Sequence, residues 1–479
     1  MVGLNKRARA LLLSVSVVSL VGWVPVAQAQ QAAEPGVQAA KRKKNSAHEQ
    51  VRQNDPVFTT AYAQIGAATQ QPLDVITVAA SKTEERAIDA LAPVSVVTLE
   101  QIQGRNASTV GDLVYNMPGV WLQNRGDDPS TSINIRGLQD FGRVAVVVDG
   151  ARQNYQRTGH FANGSFFLNP ELIGGIDIVR GPTANIYGSG AIGGVASFRT
   201  KDIEDVVRPG ERWGVDVNTM IGSNRSRATG SAFGGIHVTY STHGKYRDGT
   251  DYTVANAWNG LSSDIAKLTV RPADGHEIKL GTIFQENIYN IGQPRRTVGD
   301  PNTLPLGPPL FPGGPPSDPN GPTSIYATNV KNYTTTLGWK YSQPDDKLFD
   351  WDAKIYWNRT DNDQVKVGHT TATNSAYCGG TVPGNAVSGC IGDNRSYRID
   401  TFGFDVHNTS RFETGDWRHA LTYGVDGFRD DVNTQDSRGN SNVTTPGGVR
   451  TVSGGFMQWK TNYTSLLEMV GALRYDNYH

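Results

Sequence analysis

Through the second half of the chain, apolar and polar positions alternate with a period of two. In "YTTTLGWKY", Tyr333, Thr335, Leu337, Trp339 and Tyr341 share one face, and Thr334, Thr336, Gly338 and Lys340 share the other. "WDAKIYWN" sets Trp351, Ala353, Ile355 and Trp357 against Asp352, Lys354, Tyr356 and Asn358. "FGFDVH" sets Phe402, Phe404 and Val406 against Gly403, Asp405 and His407, and "LTYGVD" repeats the pattern with Leu421, Tyr423 and Val425. The pattern predicts eleven strands, at 213–222, 226–234, 236–246, 262–271, 276–290, 325–342, 347–360, 397–412, 416–430, 449–463 and 466–477. Their connections alternate in length. Those at 272–275, 343–347 and 414–416 are short, whereas 247–262, 291–324, 362–396 and 431–448 are long and rich in Pro, Gly, Asn and Asp. Long runs joined by alternately short and long loops describe an antiparallel transmembrane β-barrel. A soluble β-sandwich also alternates, but with shorter strands and more uniform loops. Seven of the 9 Trp lie in this half, at 213, 258, 339, 351, 357, 417 and 459, several near strand ends as an aromatic girdle requires. Eleven strands make a poor closed barrel, where even numbers are the rule, so the expectation is a truncated chain holding about half of one.

Residues 73–205 follow another pattern: short apolar runs broken by turn signals, as in a compact α/β domain of about 130 residues. Within "RVAVVVDGARQ", Asp149-Gly150 separates two apolar runs and predicts a two-residue hairpin. Residues 30–72 are polar, Ala/Gln-rich and aperiodic, with a basic run at Lys41–Lys44, and read as a disordered linker. Before them, Lys6, Arg7 and Arg9, an apolar run and Ala27-Gln28-Ala29 read as a cleaved export signal spanning 1–29.

Composition narrows the function. Among the 479 residues, Lys+Arg and Asp+Glu are equal at 45 each, which argues against a nucleic-acid partner. Cys378 and Cys390 are the 2 cysteines, and in an oxidising compartment they are expected to close one loop; two free thiols are the alternative. No nucleophile elbow, P-loop or H-E-x-x-H is present, so no enzyme is indicated. "YGSGAIGG" does spell G-x-G-x-x-G through Gly188, Gly190 and Gly193. A dinucleotide site needs a helix after these glycines, and "VASFRT" after Gly194 is a strand word instead. The glycines are expected to let backbone turn tightly against its own sheet or the barrel wall.

Several words carry a family resemblance. "NMPGVWLQ", "INIRGLQDFGRVAVVVDGARQ" and "LIGGIDIVRGPTANIYGSGAIGGVASFRT" resemble the plug of TonB-dependent outer-membrane receptors. The plug words are Arg136-Gly137, Asp149-Gly150, Arg180-Gly181-Pro182 and Gly188, Gly190, Gly193 and Gly194. "DVITVAASKTEE" resembles the TonB box, with Val75, Ile76, Thr77, Val78, Ala79, Ala80 and Ser81 as its core; an extended segment of this kind can add a strand to a partner's sheet edge. The resemblance implies a mainly β protein: an N-terminal α/β plug at 86–205 behind a box region at 73–85, inside a barrel of which 206–479 supplies about 11 of an expected 22 strands. It implies transport across a Gram-negative outer membrane, powered by TonB, in contact with outer-membrane lipid. It also implies that Arg136 and Arg180 meet acidic residues of the barrel wall.

"RVAVVVDGARQNYQRTGH" looks most like the haem and haemoglobin receptor branch, where haem is the cargo rather than a resident cofactor. In that branch some members carry a haem-ligating histidine on an apical plug loop, and His160 matches its position; an imidazole is a common axial ligand of haem iron. Tyr155, with Phe161, Phe166 and Phe167, is expected to stack on the porphyrin, and Arg152 and Arg157 to meet its propionates. His369 is a fallback second ligand, while His237 and His407 fall on the polar face of their strands and receive no special role. The alternatives are a ferric-siderophore receptor and a non-functional truncated product.

Overall fold

The computed structural model describes residues 76–77 and most of 82–479. Outside the described residues lie 1–75, 123–127, 156–165, 223–226, 248–252, 255–258, 292–324, 369–391 and 437–446, with shorter pieces at 78–81, 83–84, 88–89, 91, 189, 209, 235, 244–245 and 465. The expected export signal and linker, Val75, Val78, Ala79, Ala80, Ser81, Arg157, His160, His369, Cys378 and Cys390 all fall there. Among the described residues, no helix is long and apolar enough to cross a membrane, which says nothing of a β-barrel.

The N-terminal part begins with β1 (Ile76–Thr77), β2 (Glu85–Arg86) and β3 (Val94–Thr98). Then come α1 (Leu99–Arg105), α2 (Val110–Val114), β4 (Val120–Leu122), β5 (Ile133–Ile135), β6 (Leu138–Gln139) and α3 (Asp140–Arg143). They are followed by β7 (Val144–Val148), β8 (Ala151–Arg152), β9 (Ile173–Arg180), α4 (Ala184–Tyr187) and β10 (Gly194–Thr200). Both α1 and α2 start at a capping box. Thr98 and Gln101, then Thr109 and Asp112, exchange side-chain and backbone hydrogen bonds. The main sheet runs β3-β9-β10-β7-β8, with β7 and β10 parallel. "VAVVV" of β7 is buried at all five positions, because the sheet is covered on both faces there. The Asp149-Gly150 hairpin forms as expected: both residues have positive φ, +49° and +82°, as a type I′ turn demands.

The larger part is one antiparallel sheet of eleven strands: β11 (Asp216–Gly222), β12 (Arg227–Phe233), β13 (Ile236–His243), β16 (Asn259–Val270), β17 (His276–Ile291), β18 (Ile325–Ser342), β19 (Asp350–Gly368), β20 (Asn394–Thr414), β21 (Trp417–Asp436), β22 (Gly448–Tyr463) and β23 (Leu467–Tyr478). A small pair, β14 (Tyr246–Arg247) and β15 (Thr253–Val254), stands between β13 and β16. The strand count and face assignments from the sequence hold. Leu337, Trp339, Ile355, Phe402, Phe404, Val406, Tyr423 and Val425 point outward and are exposed. Thr334, Thr336, Tyr356, Asn358, Thr401 and Thr422 point into the lumen and are buried. The polar side is inside and the apolar side outside, the reverse of a soluble sheet. His276, Trp339, Tyr341 and Trp351 cluster at the short-turn end, with ring centroids 4.7–6.4 Å apart, as an aromatic girdle does.

Three expected loops are shorter than the alternation suggested; in the first, β16 already begins at Asn259. Strand β19 continues to Gly368 and β20 begins at Asn394, while β21 continues to Asp436. In β19 the extension places Asp361 and Asp363 on the outer face before Val365 and Val367, and in β21 it is polar apart from Val432, so the period-two signal weakens although backbone pairing continues. The N-terminal part sits in the lumen. Its core of Leu113, Ile133, Ile135, Ile176, Ile178 and Phe198 runs into Phe233, Ile265 and Ile283 of the wall.

Gly194 and Gly104 give a contrasting test of this packing. At Gly194, φ is +140° and a Cβ would lie 2.1 Å from the Val179 carbonyl oxygen; at Gly104, within α1, nothing lies within 4 Å. Gly194→Ala is expected to lose the folded plug, read as protease cleavage between 94 and 200 in detergent-purified protein. Gly104→Ala is expected to stabilise it by about 0.5–1 kcal/mol.

Candidate functional site

The expected ligand loop, 156–165, lies outside the described residues, but both of its feet are placed. Tyr155 is buried at 5% exposure; its hydroxyl accepts a 2.6 Å hydrogen bond from Asn362 Nδ2 on β19, and its ring lies 6.0 Å from Phe167. At the other foot, Gln285 Nε2 donates to the Phe167 carbonyl at 2.9 Å, and Asn169 Nδ2 donates to Ser263 Oγ at 2.6 Å. Tyr289, Ile291, Tyr326, Val330, Tyr397 and Ile399, from the long-loop ends of three strands, complete this cluster. Tyr155, Phe166 and Phe167 are therefore buried anchors rather than an exposed porphyrin platform: Tyr155 and Phe167 pack in this wall cluster, and Phe166 packs against Phe198 of the plug with ring centroids 5.1 Å apart.

Arg152 also departs from its expected role. Its NH1 donates to the Tyr187 carbonyl at 2.9 Å, its Nε donates to Asn154 Oδ1 at 3.2 Å, and its guanidinium lies 5.0 Å from the Phe428 ring. Burial draws its donors into the plug's own packing instead of toward a propionate. Next to it, Asn154 Nδ2 donates to Asp430 of the wall at 3.0 Å.

The Asp149 carboxylate holds hairpin, sheet and wall together. It accepts from Thr200 N at 2.8 Å and Thr200 Oγ1 at 2.5 Å, and lies 3.2 Å from Lys267 Nζ on β16. Burial alone would raise its pKa; Lys267 and the two Thr200 hydrogen bonds outweigh that and hold it below the usual carboxylate range. Lys279 pairs with Asp202 at 2.7 Å and Lys201 with Asp216 at 3.2 Å, extending the same seam. Gly150 at the turn tip packs against the Lys354 side chain.

The glycine-rich stretch faces the opposite wall. Arg474 on β23 forms two hydrogen bonds to Asp426, at 2.8 and 2.7 Å, one to Asp476 at 2.8 Å, and reaches the Ile186 carbonyl at 3.4 Å. A Cβ at Gly188, where φ is +80°, would stand 2.8 Å from that guanidinium. Cβ atoms at Gly190 and Gly193 would come within 3 Å of the Gly142 carbonyl oxygen and Leu138 Cβ. A strand, β10, follows the glycines, as the sequence implied; the short helix α4 before them was not anticipated.

Among the described residues, the partners of Arg136 and Arg180 lie within the plug. Arg136 (φ +51°) and Gly137 (φ +86°) form the turn between β5 and β6, and the Arg136 side chain covers Gly119. Arg180 NH1 donates to the Pro118 carbonyl at 2.7 Å; the Gly181-Pro182 step follows, with Gly181 at φ +125°. Among the described residues neither arginine pairs with a barrel carboxylate. Among the described residues, the plug's charged grip on the wall includes Asp149, Lys201, Asp202, Glu204, Lys82 and Glu85 instead.

Lys82 carries no signal in the sequence beyond its place just after the box. Its ammonium pairs with Asp405 of the wall and lies 3.8 Å from Asp426, with side-chain exposure of 7%. The Phe456 and Tyr187 rings flank it at 4.6 and 5.5 Å. His407 Nδ1 bonds Asp405 at 2.9 Å and its Nε2 meets the Lys82 carbonyl at 3.2 Å. His407 thus has a structural role that its lumen position alone did not suggest. In the segment expected to be the box, β1 pairs with β2, and the buried Thr77 hydroxyl donates to Asp177 of β9 at 2.7 Å. About 980 Å³ of space separates plug and wall at this level, bordered by Lys82, Arg152, Lys279, Lys354, Asp405 and Asp426. No group of three or more metal-ligating side chains occurs among the described residues.

Residues 86–195 match the family model of the TonB-dependent receptor plug domain. The chain is 36% identical over 163 residues to a hemin receptor of Yersinia enterocolitica, covering 34% of this chain and 23% of that protein. It is 22% identical over 354 residues to the TonB-dependent heme receptor A of Haemophilus influenzae, covering 71% of this chain and 44% of that one. Among solved structures, the fold resembles the Serratia marcescens hemophore receptor HasR, in a double mutant bound to its hemophore HasA and heme. The TM-score is 0.63 at 24% identity, over 80% of this chain and 52% of HasR. The chain thus spans less than half of these curated relatives and about half of that receptor.

The Asp149 seam generates one prediction. Asp149→Ala leaves Lys267 buried without its carboxylate, a cost of about 3–5 kcal/mol, expected as faster hydrogen exchange in β7 and β10 with the barrel strands unchanged. Because the folded-state pKa of Asp149 lies below its unfolded value of about 3.9, its contribution is complete above about pH 4. It is lost as pH falls through the lower folded value, so wild-type plug protection should decline only below about pH 4, and the variant should not show that step.

Proposed function

We propose that this chain, a TonB-dependent outer-membrane receptor by its plug and its barrel strands, takes up haem, free or delivered by a haemoprotein. The observation that carries the reading is the mounting of the loop that holds His160. Its two feet, Tyr155 and Phe167, are tied to the wall at the long-loop end of the lumen, which faces outward in a receptor of this kind. A ten-residue loop held at both ends can offer an imidazole to ferric haem at the mouth of the lumen. The names of the relatives, a hemin receptor and a heme receptor, favour haem over a ferric siderophore.

In this reading haem is cargo and the protein holds no resident cofactor. The role is transport, with no chemistry performed on the ligand. Haem binds on the outer side, with His160 as its axial ligand and Arg157 as the propionate partner on the same loop. Residues 75–81 serve as the box that TonB engages from the periplasm, and the outward apolar faces of β16–β23 meet outer-membrane lipid. Residues 1–29 direct export and are removed, and 30–72 form a periplasmic linker ahead of the box region. Cys378 and Cys390 close one outer loop as a disulfide.

Haemin titrated into detergent-purified protein is expected to give a shifted, saturable Soret band. His160→Ala is expected to change its position and weaken binding at least ten-fold, about 1.4 kcal/mol. Identical spectra and affinities in the two proteins would remove His160 from the site. Saturable binding of a ferric siderophore, with none of haemin, would support the siderophore alternative instead.

A further inference from the structure

We propose that Arg395, on the lumen wall, is a carboxylate-binding group for the cargo: its guanidinium, stacked on Tyr326 and tied to Gln364, takes a propionate of haem. The inference rests on the reading of the chain as a haem receptor and adds a carboxylate partner on the wall to the one assigned to the plug.

Three strand ends meet at the long-loop end of the lumen: β18 starts at Ile325, β19 ends at Gly368 and β20 starts at Asn394. Thr328, Gln364 and Arg395 are register partners across these adjoining strands, and Tyr326 stands two residues before Thr328 on the same face. The Arg395 guanidinium lies 3.6 Å from the centre of the Tyr326 ring and 5.7 Å from that of Tyr397. Its Nε donates to Gln364 Oε1 at 2.7 Å. Gln364, at 1% exposure, is fixed in turn: its Nε2 donates to Thr328 Oγ1 at 3.1 Å, and that hydroxyl donates to the Tyr326 carbonyl at 3.2 Å. One face and one edge of the guanidinium are thus held by buried neighbours.

What is left is the fork. Among the described residues, the terminal nitrogens NH1 and NH2 of Arg395 meet no acceptor. Parallel N–H bonds from such a fork match the two oxygens of a carboxylate. Stacking and the Nε bond have already ordered the side chain, so little rotamer freedom remains to be lost on binding. Lys366 lies two residues beyond Gln364 on the same face and is buried at 1% exposure; it repels Arg395, and Asp393 offsets its charge. Two cations side by side at this end of the lumen favour an anion between wall and ligand. The rings beside the fork, Tyr326 and Tyr397, belong to the cluster that seats Tyr155, so the fork stands where the wall receives the plug's outward end. The ligand class that fits is a flat apolar ring system with pendant carboxylates. The β20–β21 register sets Asp436 opposite Arg395, and a structural ion pair between these two is the competing account.

The test titrates the detergent-purified protein with haemin and with haemin dimethyl ester, which keeps the iron and the ring but carries no carboxylate. Wild type is expected to prefer haemin by about ten-fold or more. Arg395→Gln is expected to bind haemin about ten-fold more weakly and to lose most of that preference, with the Soret band of the bound form unmoved because the iron keeps its ligand. That unmoved band separates this variant from His160→Ala. Gln364→Met, which frees Nε but leaves the charge, should lose about three-fold, and Arg395→Lys, which keeps the charge without the fork, should recover only part of the preference. Asp436→Asn is expected to keep the wild-type preference. If wild type prefers haemin and Arg395→Gln, Arg395→Lys and Gln364→Met all keep that preference in full, the fork is overturned and the proposed function stands. A preference lost equally in Asp436→Asn and Arg395→Gln would assign the guanidinium to the ion pair and overturn the fork as well. If wild type binds no haemin, the reading of the function fails and the fork falls with it.

Discussion

The structure depends on one constraint: a sheet that is apolar outside must put its polar side chains inside. In β18 alone, Thr328, Asn332, Thr334 and Thr336 line the lumen, while Leu337 and Trp339 face outward. Such a lumen must be filled by water or by polar protein surface, since buried polar groups without partners are costly. The plug supplies that surface. Asn169 meets Ser263, Tyr155 meets Asn362 and Asn154 meets Asp430. Among the described residues, apolar contact between plug and wall is concentrated at two levels, the shared core around Phe233, Ile265 and Ile283 and the cluster around Tyr155 and Phe167.

Charge then sets how the plug is turned within the barrel. A single lateral row of the wall reads Lys279, Gly338, Lys354, Asp405, Asp426, Gly454 and Asp476 from β17 to β23, basic at one end and acidic at the other. The plug answers in kind. Asp149 and Asp202 face Lys267 and Lys279, while Lys82 faces Asp405 and Asp426. Turning the plug around the barrel axis would oppose like charges and strand several buried ones, each worth several kcal/mol. The same pairs that fix the rotation also hold Lys82 and the β7–β8 hairpin in place.

Much of this was legible without coordinates. Strand number, inward and outward faces and the aromatic girdle all follow from period-two alternation, which is a local property of the backbone. The Asp149-Gly150 turn was equally legible, because few residues tolerate two successive positive φ angles. The candidate site was harder. Tyr155 and Arg152 look like ligand-facing residues in a polar stretch, yet both are turned inward by groups two hundred residues away, Asn362 and Phe428. Lys82 and His407 gave no local signal at all, because a charge in a polar strand looks the same whether it is solvated or clasped.

By itself, then, the sequence determined the architecture: the strands, their faces and the plug words with their glycines. Each of these depends on residues near one another in the chain, where backbone geometry dictates the pattern. Only the tertiary structure decided which charges meet across the lumen: Lys82 with Asp405 and Asp426, Asp149 with Lys267, and Arg474 against Gly188. Those pairings depend on how far the plug is inserted and how it is turned inside the wall. That placement is the joint result of many contacts distant in sequence, and no local pattern encodes it.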